Sequence, residues 1–550
     1  MQYADKILTS RSVFSGLTEF PFDGGVAVAG RHILSVFKGD VPKELIGSRT
    51  KIYDFGNRLI MPSFIDAHTH MSLAAASLSP HVCTAIEDSV SPENCVEIMK
   101  AFEKEHPFEE RLMGIGWYPA CWNDIPLPDS RLLDEAFPDK AVYLLCGDLH
   151  TAWVNQKALE ELEIDAGTVP EYGSVRLDKN GRPDGILFEM DLVIPIFTKM
   201  TDYPIESLTR MFGNFFRKAN QYGITALSDM TPAKLSRPFL RYMENLSRLS
   251  ETGTFTVRLH MYSNLGTTGD YTLEKTLAEK YCSELFRYCG LKQMIDGVTS
   301  TYTGLLLEPY SDRPKMTCSA NYPKEIFLKC TAAAEKAGLG VRFHSIGDAA
   351  VRWALDCFEY ANSEAENIGN YKKLPNTVEH IESIHPDDLK RFKELGVIAS
   401  VQPYHLTFDQ NEKISRIGLK RCRYEWPFKS LSKNGAVLAF GTDAPVIGMD
   451  PFANIHAAVT RCDDTDKPTG ANPEEAVSLS ETLKAYTYGA ACAYGRDDIG
   501  TLSEGKLADI IVLNCNLFDV PAKQLKNCCV DLTMFDGRIV FDRGLSDMDF

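Results

Sequence analysis

Residues 59–70, LIMPSFIDAHTH, decide how this chain is read. Leu59, Ile60, Met61, Phe64 and Ile65, punctuated by Pro62, form a short apolar run of the kind that makes a buried strand, whose alternate side chains share one face. His68 and His70, two residues apart just beyond it, therefore present their imidazoles on the same side. Two neutral imidazoles side by side suit Zn²⁺ or a similar divalent ion. A catalytic ion also needs ligands from elsewhere in the chain and an open position for water. Ordinary hydrogen-bonded histidines share this spacing, so the pair alone assigns nothing.

Around this stretch the chain changes character. Before it lie short β-type runs, ADKILTS, GGVAVAG, HILSVF and KIYDF; the last fifty residues hold ADIIVLN, VDLTMF and GRIVFD. The two ends, residues 1–60 and 497–550, are expected to pair into a composite β-sandwich domain. Between them, over residues 61–496, apolar strands alternate with amphipathic helices such as KEIFLKCTAAAEKAG and PDDLKRFKELG. The strands after the first are ITALSDM, FTVRLHMY, GLKQMID, GVRFHSIG, NTVEHIE, VIASVQP and AVLAFGTDAP. Eight strands in βα alternation give an α/β chain with a (β/α)8 TIM-type barrel. Residues from about 80 to about 205 break the rhythm and read as an insertion after the first barrel strand, expected to lid the barrel mouth.

The chain's 550 residues suit one large domain with additions, and 44% apolar residues suffice for its core. With 58 Lys and Arg against 75 Asp and Glu, the net charge of −17 argues against a nucleic-acid or anionic-membrane surface. No stretch approaches the roughly 20 apolar residues that span a bilayer. The opening MQYADKILTSRSVFSG lacks the charged-then-apolar layout of a signal peptide, so a cytoplasmic protein is expected. The fifteen cysteines form no CxxC pair and read as buried free thiols.

In such a barrel, polar side chains at the C-terminal strand ends converge on one mouth. Four further strand ends carry ligand-type residues: Lys292 in GLKQMID, His344 in GVRFHSIGD, His380 in NTVEHIE and Asp443 in AFGTDAP. A single strand-end histidine is more often structural; the ordered set His-x-His, Lys, His, His, Asp is what points to a metal centre. An ammonium cannot bind a cation. A desolvated neutral Lys292 can instead add CO₂ to become a carbamate with two oxygens able to bridge two metals. The other reading leaves Lys292 as an ammonium paired with a carboxylate such as Asp296, and one metal held by the histidines and Asp443.

With these residues in place, the chain resembles the amidohydrolase superfamily, in its YtcJ-like or amidohydrolase-3 branch, which includes N-substituted formamide deformylase. The resemblance runs through GIGWYPACW, GDLHTAWVNQKAL, NGRPDGILFE, YGITALSDM, LLLEPYSDRP, FHSIGDAAV, SVQP, YEWPFKSL and GTLSEGKLADIIVLN, nearly the whole chain. It implies His68, His70 and Asp443 on one metal, His344 and His380 on the other, and Lys292 bridging both as a carbamate, with two Zn ions as the expected cofactor. The implied mechanism is attack by a metal-activated hydroxide, with Asp443 as proton shuttle.

The pattern Asp148, His150, Trp153, Asn155 resembles one in that branch, which implies that His150 binds the substrate carbonyl; ordering the insertion is the alternative. Trp117, Tyr118 and Trp122 either line an apolar pocket or pack the insertion. Glu379 and Glu382 flank His380, where one would orient an imidazole or both would sit in solvent. Two positions depart from the branch. Ser63 follows Pro62 where a glycine is usual. Arg342 stands two residues before His344 on the inward face, where a small apolar residue is expected, and must pair with a core carboxylate or help bind an acidic substrate. Among the remaining histidines, which have no comparable pattern behind them, His405, just after SVQP, is the one to watch.

The expected function is metal-dependent hydrolysis of carbon–nitrogen bonds other than peptide bonds in a small-molecule N-acyl, N-formyl or cyclic amide. The alternatives are a mononuclear deaminase of a heterocyclic or aromatic amine, and a non-catalytic binding module. A homodimer is a family-level expectation.

Overall fold

The computed structural model describes residues 2–79, 82–106, 111–122, 125–147, 149–170, 173–199, 202–230, 233–316, 318–365, 374–407, 410–470 and 472–544. The chain divides into two compact units. One comprises Met1–Thr69, Phe216–Pro232 and Phe255–Phe550; the other comprises His70–Phe215 and Ala233–Thr254.

The larger unit is built on a curled sheet of eight parallel strands: β1 Phe64–Ile65, β2 Ile224–Asp229, β3 Arg258–Asn264, β4 Phe286–Met294, β5 Gly340–Ser345, β6 Thr377–His380, β7 Ile398–Val401 and β8 Leu438–Phe440. They lie side by side in chain order, each parallel to its neighbours. Every residue of β5, β6, β7 and β8 is buried, as expected for parallel strands covered on both faces. Residues just past the two outer strands also meet: Ala67 N donates to Phe440 O at 3.0 Å and Asp443 N to His68 O at 2.7 Å. Helices follow the strands, as with Lys324–Lys336 before β5 and Asp348–Ala365 after it. The helix expected in PDDLKRFKELG is broken into a 3₁₀ turn, Pro386–Asp388, and a short helix, Arg391–Leu395, stopped by Gly396 at φ 66°.

A second sheet of the same unit joins strands from both ends of the chain. Its order is Arg538–Asp542, Val530–Phe535, Ile510–Leu513, Ile60–Pro62, Lys6–Val13, Phe22–Ala29 and His32–Lys38, with Lys51–Asp54 also on Lys6–Val13. Ile60–Pro62 pairs antiparallel with Ile510–Leu513 and runs straight on into β1, so the apolar run read from the sequence serves two sheets, with Ser63 at the joint. Ser63 Oγ meets Thr225 Oγ1 of β2 there, which gives the hydroxyl a buried partner.

The smaller unit has a six-stranded mixed sheet with the order Ser174–Leu177, Pro183–Phe188, Thr151–Val154, Ala141–Cys146, Arg111–Trp117 and Thr84–Ala85. Trp117, Trp122 and Trp153 are fully buried in its core among Ile86, Met99 and Leu144. Among the described residues no disulfide forms, and no helix is long and apolar enough to cross a membrane.

Candidate metal centre

The centre is assembled where β1, β6 and β8 end. Asp66, buried, accepts hydrogen bonds from Thr442 N at 2.9 Å, Thr442 Oγ1 at 2.6 Å and His68 N at 3.2 Å, tying the end of β1 to the end of β8. A side chain at Gly441 would place its Cβ 2.4 Å from His68 N, so this approach requires glycine. Asp443 follows in the left-handed region at φ 63°, a conformation aspartate tolerates better than bulkier residues.

His68 Nδ1 lies 2.6 Å from Glu379 Oε2, with both side chains buried. A carboxylate only accepts, so Nδ1 carries the proton and the lone pair is left on Nε2. Burial and the nearby Lys292 charge lower the His68 pKa to about 4, so the contact is a hydrogen bond from a neutral ring. His68 Nε2 is 3.4 Å from Asp443 Oδ1, and His380 Nδ1 is 4.0 Å from Asp443 Oδ2. One ligand atom from each of His68, His380 and Asp443 lies within 4.8 Å of the others. Ligands about 2.0–2.2 Å from a tetrahedral ion stand roughly 3.3–3.6 Å apart, so the His68–Asp443 separation matches one edge of such a site. Burial, then the neighbouring His344 and His68, hold the His380 pKa well below the usual value. Both imidazoles are thus neutral, the form that binds metal.

His344 and His380 stand ring against ring, with centroids 4.4 Å apart. His344 Nε2 donates to Gly297 O at 3.3 Å. Lys292 is buried, and its Nζ has no hydrogen-bond partner among the described residues. Desolvation, reinforced by Arg342 and opposed by Glu379 and Asp443, lowers its pKa to about 8. The alternative of a Lys292–Asp296 pair is not what forms. Asp296 instead caps backbone, accepting from Leu305 N at 2.8 Å, Ile346 N at 3.0 Å and Gly347 N at 2.9 Å.

A set of neutral imidazoles, one carboxylate and an unpartnered buried amine is a donor set for divalent metal. The amidohydrolase family's model matches residues 51–541. The chain belongs to the amidohydrolase family. It is a hydrolytic enzyme acting on non-peptide carbon–nitrogen bonds. This amidohydrolase is 26% identical to the putative amidohydrolase YtcJ of Bacillus subtilis, across 91% of this chain and 92% of the relative. It is 23% identical to the N-substituted formamide deformylase of Arthrobacter pascens, across 94% and 95%. Among solved structures it is similar to an uncharacterised metal-dependent hydrolase from Pyrococcus horikoshii OT3, with 25% identity, a TM-score of 0.76, and coverage of 94% of this chain and 99% of that one.

The other residues singled out from the amidohydrolase sequence fall in three groups. Arg342 pairs with a core carboxylate, Glu379. It is fully buried, with Nη1 3.3 Å from Glu379 Oε1 and 3.2 Å from Ala67 O, Nη2 2.5 Å from Ala493 O, and its guanidinium over Tyr262. Its Nη1 and Nη2 donors are spent inside the protein. Trp117 and Trp122 are fully buried in the smaller unit's core, their rings stacked 5.1 Å apart, and Trp117 Nε1 donates to Leu144 O at 3.0 Å. In that unit His150 pairs through Nδ1 with Glu189 Oε2 at 2.8 Å. Trp153 donates to Asp129 O at 3.0 Å, and Asn155 caps the helix Gln156–Glu161; Asp148 lies outside the described residues. His70 is the N-cap residue of the helix Met71–Ser77, also in the smaller unit.

Glu379 and Asp66 are the residues the sequence reading underweighted. Glu379 sits next to His380, yet its partner is His68, 311 residues away, and Thr377 Oγ1 and Arg342 hold its other oxygen. Glu379→Gln is expected to weaken metal binding by about 10–100-fold, because the amide orients His68 without adding to its basicity. Competition against a chelating dye measures this, and unchanged affinity would remove Glu379 from the centre.

Proposed function

We propose that this amidohydrolase hydrolyses N-acyl, N-formyl or cyclic amides at a centre of His68, His70, Lys292, His344, His380 and Asp443. On this reading the eight-stranded sheet is a closed (β/α)8 barrel, and residues 1–60 and 497–550 form a composite β-sandwich domain. The observation that carries the functional reading is the buried meeting of His68, His380 and Asp443 with ligand atoms within 4.8 Å. A divalent ion bound there supplies the Lewis acidity that polarises an amide carbonyl and brings the ionisation of water near neutrality.

The chain's own residues do the remainder. His68, fixed by Glu379, and His380 offer neutral nitrogen lone pairs. Asp443 takes the proton that water loses as it attacks and returns it to the leaving nitrogen. The buried, unpartnered amine of Lys292, with a pKa near 8, is neutral in a useful fraction at physiological pH and can add CO₂. His150, with its tautomer set by Glu189, is the proposed contact for the substrate carbonyl. The name of the formamide deformylase relative supports starting the search for substrates with formamides.

The compact His68–His380–Asp443 grouping also suits a single ion, which favours a second reading, a mononuclear deaminase. Elemental analysis with intact mass of the purified protein separates the two. About two ions per chain and the added mass of one CO₂, lost in Lys292→Ala and restored in activity by bicarbonate or short carboxylic acids, support the first reading. One ion without added mass, together with ammonia release from aromatic amines, supports the second. Absence of turnover on formamides, acyl amides, lactams and amines alike sinks both.

A further inference from the structure

Of the strands β4 to β8, only β7 contributes nothing to the six-residue centre, yet the residue that follows it points to the same chemistry. His405 lies on the 3₁₀ turn Pro403–Thr407, just beyond β7, and is buried. The turn is pinned: Tyr404 N donates to Asn454 Oδ1 at 2.9 Å, on the helix Pro451–Thr460, and His405 N donates to Gln402 O at 3.0 Å. The His405 ring stacks nearly parallel to His380 at 6.1 Å and meets Trp426 edge-on at 6.2 Å. Its Nε2 stands 3.7 Å from Asp443 Oδ2, whereas the other oxygen, Oδ1, faces His68. His405 does not join the His68, His380 and Asp443 grouping.

We propose that His405 is a further catalytic residue of this reaction, contacting the scissile nitrogen together with Asp443. The inference rests on the amide-hydrolase reading above. Two atoms 3.7 Å apart are too far for a good hydrogen bond to each other but can share a third atom about 2.8–3.0 Å from both. An atom hydrogen-bonded to Asp443 Oδ2 on the side that faces His405 therefore can fall within reach of His405 Nε2. In the breakdown step the C–N bond breaks, its electron pair stays on nitrogen, and that lone pair takes the proton held by Asp443. The N–H that the nitrogen already carries donates to His405 Nε2, which requires the neutral ring to hold its own proton on Nδ1, and this contact aligns the lone pair. Only a nitrogen bearing a hydrogen can make this contact. The favoured substrates are therefore N-monosubstituted amides, formamides and lactams, not N,N-disubstituted ones.

The test uses full-length protein, His405→Gln and His405→Phe, loaded with the same metal. The substrates are N-benzylformamide, N-benzyl-N-methylformamide and 4-nitroformanilide. We expect unchanged metal per chain and a KM within about threefold. For N-benzylformamide, kcat falls about 100-fold in His405→Phe and less in His405→Gln, the scale of one lost hydrogen bond positioned for the transition state. For 4-nitroformanilide, whose amine leaves without such help, the loss is under about fivefold. The wild-type preference for the N–H formamide over its N-methyl counterpart shrinks in both variants. Metal content falling with the rate would make His405 a ligand and overturn the proposal, as would equal losses, or none, for the two leaving groups. A wild-type protein inactive on all three overturns the formamide reading and this inference together; an active one indifferent to His405 overturns only the inference.

Discussion

Replacing Asp443 by asparagine is expected to lower kcat by about 10⁴-fold, the upper end for general acid–base catalysis, while metal content falls by less. The asymmetry follows from the two oxygens. Oδ1 faces His68 Nε2 at 3.4 Å, on the ligand side of the centre, and an amide oxygen can still occupy that position. Oδ2 faces His380 and His405 and is, on the proposed mechanism, the oxygen that carries the proton. An amide cannot shuttle that proton in either direction. Asparagine also tolerates the left-handed backbone at this position, so the fold should survive and the loss reads as chemistry. Steady-state kinetics beside elemental analysis measures both quantities. If rate and metal fall in proportion, Asp443 is a ligand only.

The largest expected effect on stability comes from Arg342→Met, a loss of roughly 3–5 kcal/mol, the usual consequence of removing one partner of a buried charge pair. Arg342 and Glu379 are both fully buried, and methionine leaves Glu379 with His68 and Thr377 but without the guanidinium paired to it. Arg342→Met combined with Glu379→Gln should recover part of the loss. Urea unfolding of the larger unit's transition measures it, and a change below about 1 kcal/mol would show that Ala67 O and Ala493 O, not the ion pair, account for the arginine. The pH dependence follows. Burial alone would raise the Glu379 pKa, but His68, Lys292 and Arg342 together hold it well below the carboxylate range. A carboxylate depressed on folding contributes stability that is complete above its unfolded pKa of about 4.3 and is lost as pH falls toward the folded value. Without Arg342 the folded value rises, the window narrows, and the variant should unfold in acid at a higher pH than the wild type.

Much of this was legible in the amino-acid sequence. The run from Leu59 to Ile65, the other seven strands and the placing of His68, Lys292, His344, His380 and Asp443 within or just past them follow from local patterns of apolar periodicity and polar residues at strand ends. Ile60–Pro62 pairs with Ile510–Leu513, a strand about 450 residues further along the chain. Trp117 and Trp122 could not be placed in this way, because an indole suits a pocket or a core equally and only packing decides.

Partners were decided by tertiary structure alone. Glu379 could be seen beside His380, but its bond to His68 depends on the sheet curling until the ends of distant strands face each other. Arg342 could be seen to need a carboxylate, and the β5–β6 pairing brings it to Glu379. Asp66 joins Thr442, 376 residues away, and His405 comes to Asp443 only because β7 and β8 are neighbours. Local sequence fixes which groups stand at strand ends, because periodicity acts over a few residues. Which groups then touch, and so which nitrogen carries a proton or a lone pair, is set by register and curvature, which exist only once the sheet has formed.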